Sequence, residues 1–226
     1  MLMKAPQDES FADLLHRLGD ISPARIRLRP APGTATVKDV VRIERRENRL
    51  YELVDGVLVE KTMGFTESRI AVLLASALQQ FIEVDDLGVI TGPDGMIRFP
   101  ENLVRMPDIA FVSWSRFPNG QFPRDPVPQI VPDLAIEVLS AGNTEGEMSR
   151  KLREYFRAGV PLVWYIDPKS ESATVYLSPT QAKRVPPNGT LDGGSVLPGF
   201  KLSLKELFAK LKRRQAKESK PKRRGS

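Results

Sequence analysis

Glu137 sits inside the run Leu134-Ala-Ile-Glu-Val-Leu139, an otherwise apolar stretch of the buried-strand type. A carboxylate buried there is costly unless it is paired, protonated or bound to a cation. Asp108 opens a second such run, Asp-Ile-Ala-Phe-Val-Ser-Trp114, directly after Pro107. Proline cannot donate to a ladder, so the strand is expected to fray or bend at that point. Two carboxylates on adjacent strands have the chemistry to hold one hard cation through oxygen, with waters completing its shell. The same residues also admit a structural reading, in which Asp108 caps a turn and Glu137 pairs with an Arg or Lys. The two readings stand level, because structural ion pairs also place acids on strands.

Lys151 follows on the next helix. Glu147, Lys151 and Tyr155 are spaced four apart and share one helix face. Alone, Glu147 and Lys151 read as a surface pair worth about 0.3–0.5 kcal/mol. The functional reading rests on direction, since this face can lean over the strand end that carries Glu137. Glu67 falls in the first turn of a long helix, where the dipole favours an acid in any case. Glu52 and Asp55 read as surface residues of a hairpin, Asp133 and Asp167 as strand terminators, and His16 as structural.

The rest of the composition narrows the chemistry. The 226 residues include no Cys and one His, His16. Thiolate metal sites, disulfides, Cys nucleophiles and His-based triads are therefore excluded or disfavoured. Hydrophobic residues make up 41% and charged residues 27%, a globular balance. No apolar run approaches the roughly 18 residues of a membrane span, and the N-terminus shows no secretory signal, so a cytoplasmic protein is expected. The net charge of +6 divides unevenly. Residues 210–226 hold nine Lys/Arg and one acid, Glu218, a net +8, which leaves −2 for residues 1–209.

The elements that must position these side chains follow from period and punctuation. Residues 8–19 read as a short amphipathic helix ended by Gly19, and residues 20–35, with three prolines, as an extended linker. Thr36 with Asp39 three residues on predicts a capped second helix. Residues 1–48 are expected to form an arm, of which 1–35 should be dispensable. Asp55-Gly56 between two apolar runs predicts a hairpin. Residues 66–83 carry the strongest helical period. A strand at 134–139, a helix at 145–158 and a strand at 162–166 make a βαβ unit with parallel neighbours. A short helix at 204–211 closes the body.

Several runs together are more specific than any of these signals alone. They are Tyr51-Glu-Leu-Val-Asp-Gly56, Pro107-Asp-Ile-Ala-Phe-Val112, Pro132-Asp-Leu-Ala-Ile-Glu-Val-Leu-Ser140, Lys151-x3-Tyr155-x3-Gly159-Val-Pro161 and Val163-Trp-Tyr-Ile-Asp-Pro168, closed by Leu197-Pro-Gly-Phe200. In this order they resemble the Uma-two family of restriction endonucleases, within the PD-(D/E)XK nuclease superfamily, over roughly residues 38–209. The resemblance implies an α/β fold of mixed α+β type, a restriction-endonuclease-like core of a mixed sheet flanked by helices. It implies a nuclease domain at 49–209, between the arm at 1–48 and the tail at 210–226. Asp108 matches the Asp of the PD motif and Glu137 the Glu of (D/E)XK. The Lys expected two residues later is absent, since Leu139 stands there, and Lys151 matches a lysine carried by the next helix. Glu147 matches a helix acid of the family. Glu67 stands where many members have a His, so its role departs from the pattern.

What the resemblance implies chemically is metal-dependent hydrolysis of DNA phosphodiesters. Asp108 and Glu137 would hold Mg²⁺ or Mn²⁺, and Lys151 would orient the water or stabilise developing charge. Glu67, Glu147 and Tyr155 are possible additions to the site. Lys151→Met is expected to stop cutting and leave folding nearly unchanged. The expected partners are DNA and a second copy of the chain as a homodimer, with no membrane. The tail bases Lys212, Arg213, Arg214, Lys217, Lys220, Lys222, Arg223 and Arg224 are expected to be disordered and to strengthen nonspecific nucleic-acid binding. Two other classes compete: a non-cleaving nucleic-acid-binding or interaction protein on the same fold, and a structural oligomer that uses the tail as a docking peptide.

Overall fold

The structure, a computed structural model, describes residues 10–212. In chain order the helices are α1 (Phe11–Arg17), α2 (Val37–Glu47), α3 (Phe65–Ile82), α4 (Glu145–Ala158) and α5 (Leu204–Lys212). The strands are β1 (Ile26–Arg27), β2 (Tyr51–Val54), β3 (Val57–Glu60), β4 (Gly88–Thr91), β5 (Ile97–Arg98), β6 (Val104–Arg105), β7 (Ile109–Ser113), β8 (Leu134–Val138), β9 (Leu162–Asp167), β10 (Ser172–Tyr176), β11 (Ala182–Val185), β12 (Thr190–Asp192) and β13 (Lys201–Ser203). A six-stranded sheet runs β11-β10-β9-β8-β7-β4 and a five-stranded sheet runs β1-β3-β2-β6-β5, with β12 and β13 as a separate pair. The architecture is mixed α/β. Among the described residues only β8 and β9 pair in parallel, across the α4 crossover, as the predicted βαβ unit requires.

Alternation along β8 decides what faces what. Leu134, Ile136 and Val138 join one core with Ile70, Leu74, Leu78 and Ile82 of α3 and Leu204, Leu207 and Phe208 of α5. Ala135 faces the other way, into a second core with Met148, Leu152 and Tyr155 of α4. Glu137 shares the Ala135 side by the period of two, so it is delivered to α4. On β7 the register Ile109↔Ile136 continues to Asp108 opposite Glu137, on the same α4 face. The β2–β3 hairpin turns on Asp55 and Gly56, both at positive φ (49° and 73°), the geometry expected of an Asp-Gly loop.

Residues 10–47 are not a detached arm. Leu14, Leu18, Ile21 and Ile26 are buried against Val54, Val57 and Val59 of the hairpin. Thr36 and Asp39 form the predicted capping box, and Val40 and Ile43 of α2 pack on Tyr51 and Leu53. The N-terminal segment also grips the start of α4. A Cβ on Gly19 would lie 2.3 Å from the Glu147 amide nitrogen, so only glycine permits this approach. Thr144 Oγ1 donates to the Gly19 carbonyl at 2.5 Å, and Arg150 donates to the Arg17 carbonyl at 2.7 Å. A short helix too weak to stand alone is thus held by burial, which composition did not reveal. Leu18→Ala is expected to cost about 2–4 kcal/mol in urea unfolding, the range for truncating a buried leucine. A loss below about 0.5 kcal/mol would return the segment to the status of an arm.

At the other end, Lys210, Leu211 and Lys212 belong to α5 rather than to a tail, and Lys212 pairs with Glu171 at 2.5 Å. Arg213, Arg214, Lys217, Lys220, Lys222, Arg223 and Arg224 lie outside the described residues. No helix among the described residues is long and apolar enough to cross a membrane.

Candidate active site

Asp108 and Glu137 meet at the end of the β7–β8 pair. Asp108 uses both of its oxygens. Oδ2 accepts the Val138 amide N–H at 2.7 Å, and Oδ1 accepts from Lys61 Nζ at 2.7 Å. The backbone bond across the strand fixes the carboxylate, and Pro107 leaves the ladder free to open there. Glu137 Oε1 accepts from the Tyr155 hydroxyl at 2.5 Å. Lys151 Nζ lies 3.4 Å from each Glu137 oxygen, an ion-pair distance rather than a tight hydrogen bond. Lys61 Nζ is 3.8 Å from Glu137 Oε2 and donates to the Met106 carbonyl at 2.7 Å.

A second ring of charge stands behind this one. Glu52 of β2 lies 3.2 Å from Lys151 Nζ and accepts from Arg105 Nη1 at 2.6 Å and from the Met106 amide at 3.2 Å. Arg105 of β6 also donates to Glu154 of α4, through Nε at 2.8 Å and Nη2 at 2.5 Å. The five-stranded sheet and α4 are therefore joined by buried ion pairs, with Lys151 bridging Glu52 to Glu137. Glu147 is held by Arg25 in a two-pronged pair at 2.9 and 2.8 Å. The expected surface pair of Glu147 with Lys151 is absent, because both side chains are buried and the Glu147 carboxylate is taken by Arg25.

Burial sets the proton affinities. It pushes the Glu137 carboxyl above its ordinary value, and nearby Asp108 and Glu52 add to this, against Lys151 and Lys61. The Tyr155 hydroxyl is driven far up by burial and by Glu137, so it remains a donor. For Glu52 the burial penalty is outweighed by Lys151, Arg105 and Lys61, and its carboxyl lies below the usual range. Burial would lower Lys61, but Glu137, Asp108 and Glu52 raise it, so it carries its charge.

Over the two acids lies a narrow cleft of about 10 Å³, room for roughly one water. Arg25, Lys61, Thr62, Met63, Glu67 and Asn143 form its upper walls. The structure thus brings Asp108, Glu137, Lys151 and Tyr155 into one cluster. Glu147 stands at its edge, and Glu67 lines the cleft with its carboxylate folded back over Gly64. Sequence reasoning missed Lys61, Arg105 and Arg25 and read Glu52 as a surface residue, whereas it is fully buried. The usable signal was the one that singled out Glu137, a charge flanked by apolar neighbours, as in Tyr51-Glu52-Leu53 and Val104-Arg105-Met106.

Among the described residues no three His, Cys, Asp or Glu side chains converge on one point. The donor set for a cation is instead two carboxylates and the Met106 carbonyl, all hard oxygens. The Lys61 ammonium already stands among them as a positive charge. These oxygen donors match the chemistry of a hard divalent ion.

A family model named Uma2 and described as "Putative restriction endonuclease" matches residues 37–205. Among solved structures, the chain is similar to one described as a putative nuclease belonging to DUF820 from Anabaena variabilis ATCC 29413. The TM-score is 0.63 at 23% identity, over 71% of this chain and 90% of that one, a likeness of fold. No curated protein matches the chain.

Proposed function

The chain belongs to the Uma2 family, and from that premise we propose that it is a metal-dependent endonuclease that hydrolyses DNA phosphodiester bonds. The observation that carries this reading is the cross-strand pair Asp108 and Glu137 with Lys151 at 3.4 Å from the Glu137 carboxylate. Asp108, Glu137 and the Met106 carbonyl would hold Mg²⁺ or Mn²⁺. When bound, such an ion polarises a phosphoryl oxygen and makes water a stronger nucleophile. The chain's own residues do the rest. The Val138 amide and the Tyr155 hydroxyl fix the two carboxylates in place. Lys151, a compact charge held between Glu52 and Glu137, stabilises negative charge that develops on the phosphate. The cluster is buried, so that charge is less screened and worth more than in bulk water. A homodimer, which would bring two such sites to the two strands, belongs to the same proposal and is read by sedimentation with and without DNA.

The test is nicking of supercoiled plasmid by the full chain with Mg²⁺, with Mn²⁺ and with EDTA. Conversion to open circles with either metal and none with EDTA is the expected result. A non-cleaving protein on the same fold is favoured by one observation, the engagement of both acids by lysines. Absence of nicking with both metals, alongside retained DNA binding, would select that reading.

The tail gives a separate expectation. A chain ending at Lys212 loses seven of the nine bases of residues 210–226. Each lost phosphate contact should flatten the plot of log K against log salt by about 0.9. Binding should weaken alike for all DNA sequences, and nicking at saturating DNA should be unchanged. An unaltered slope would move the phosphate contacts to the body, where Lys38, Arg42, Arg45, Arg46 and Arg98 ring an open groove of about 510 Å³.

A further inference from the structure

Two lysines reach the acid pair, and they are held differently. Lys151 projects from the middle of α4, locked on both sides by Glu52 at 3.2 Å and Glu137 at 3.4 Å. Lys61 follows the last residue of β3 and begins a stretch, residues 61–64, that belongs to no helix or strand before α3 starts. Its ammonium contacts three oxygens, Asp108 Oδ1, the Met106 carbonyl and, more distantly, Glu137 Oε2. Its stem lies along the cleft wall beside Thr62 and Met63, with the side chain 8% exposed. A four-carbon stem with free torsions can leave such a place without moving an element of the fold. Lys151 cannot, because its exit would uncover Glu52.

Charge counting gives the same division. The inner cluster holds four carboxylates, Glu52, Asp108, Glu137 and Glu154, and three cations, Lys61, Lys151 and Arg105. Arg150 reaches Glu154 from the rim, where Asp55 pairs with both Arg150 and Arg17, and Arg25 with Glu147 is a closed pair. Withdrawing Lys61 leaves Asp108 without its cation and Glu137 with Lys151 alone, a local deficit of positive charge that an entering cation would offset. With Lys61 in place, its ammonium occupies the oxygens that ion would need.

We infer that Lys61 is the exchangeable counter-ion of the Asp108–Glu137 pair: its ammonium holds the two carboxylates together in the metal-free protein and leaves the cleft when a divalent cation enters. Lys151 is then the permanent lysine of the site, and Lys61 a positioning residue that sets metal affinity. The inference rests on the metal-dependent reading above. It adds a cost to metal entry, since one buried ion pair must be broken for the new one to form.

The test uses the full chain and Mn²⁺ alone, without DNA. Calorimetric titration should show Mn²⁺ binding at least tenfold tighter in Lys61→Met than in wild type, because the competing charge is gone. In wild type, acylation of Lys61 by an amine-reactive ester, read by peptide mass spectrometry, should be slow without metal. It should accelerate severalfold at saturating Mn²⁺. Equal or weaker Mn²⁺ binding by Lys61→Met overturns the exchange. So does a Lys61 labelling rate that saturating Mn²⁺ leaves unchanged, and this second measurement decides alone if the variant does not fold. Binding by both proteins with no difference defeats only the exchange, whereas no Mn²⁺ binding by either defeats the metal-dependent reading and the exchange with it.

Discussion

Glu137→Gln should reduce plasmid nicking by a thousandfold or more, and Lys151→Met should do the same. The amide keeps the shape of Glu137 and can still accept from Tyr155, but it supplies no charge to a divalent ion. Losing several kcal/mol of charge stabilisation corresponds to about three decades in rate. Lys151→Met removes the cation nearest Glu137 and leaves the approaching phosphate without that partner. The two variants differ in what they do to the fold. Lys151 is buried between two carboxylates, so its removal leaves Glu52 facing Glu137 without a cation between them. A folding cost is therefore expected, against the sequence expectation of nearly unchanged folding. Circular dichroism and urea midpoints should accompany the nicking assay, with both variants assayed well below their midpoints. Nicking by Lys151→Met within about tenfold of wild type would sink the helix-borne lysine. Lys61 would then be the next candidate for that role.

Arg105→Met should cost about 3–5 kcal/mol of stability, the range for removing one partner from a buried ion pair. Arg105 is 3% exposed and binds Glu52 and Glu154 at once, so its loss orphans charge on both the five-stranded sheet and α4. Glu154 keeps Arg150 at 2.7 Å and Glu52 keeps Lys151 at 3.2 Å, which limits the damage but does not cancel it. Adding Glu154→Gln to Arg105→Met should recover part of the loss, since the second change removes a carboxylate left short of a partner. The measurement is urea unfolding of the two single variants and the double. A loss under about 1 kcal/mol for Arg105→Met would mean that the cluster tolerates a missing cation. The claim that it clamps α4 to the five-stranded sheet would then fall.

Local chemistry was legible in the sequence because it is written in neighbouring residues. The Asp55-Gly56 turn needs positive φ, the Thr36/Asp39 box needs three-residue spacing, and α3 follows from the 3.6 period of Ile70, Leu74 and Leu78. Glu137 stood out because a lone carboxylate in an apolar strand demands an explanation, and Asp108 because it opens the next such run. Lys151 was reachable because residues four apart share a helix face. Which residues these three would meet was not legible. Whether the second face of β2 is wet or dry depends on what docks against it, and no pattern inside Tyr51–Val54 reports that α4 does. Glu52 therefore read as surface, and Arg105 and Lys61 were missed. The N-terminal helix read as an arm because a single short helix over residues 8–19 is too weak to be stable alone, yet Leu14 and Leu18 are buried on the hairpin and Gly19 lies against Gly146. The sequence by itself marked most of the elements, and marked Asp108, Glu137 and Lys151 as candidates, through short-range spacing. Only the tertiary structure decided that a second lysine stands between the acids and that a buried ion-pair cluster holds them, because burial and pairing join residues from 25 to 154 that share no local pattern.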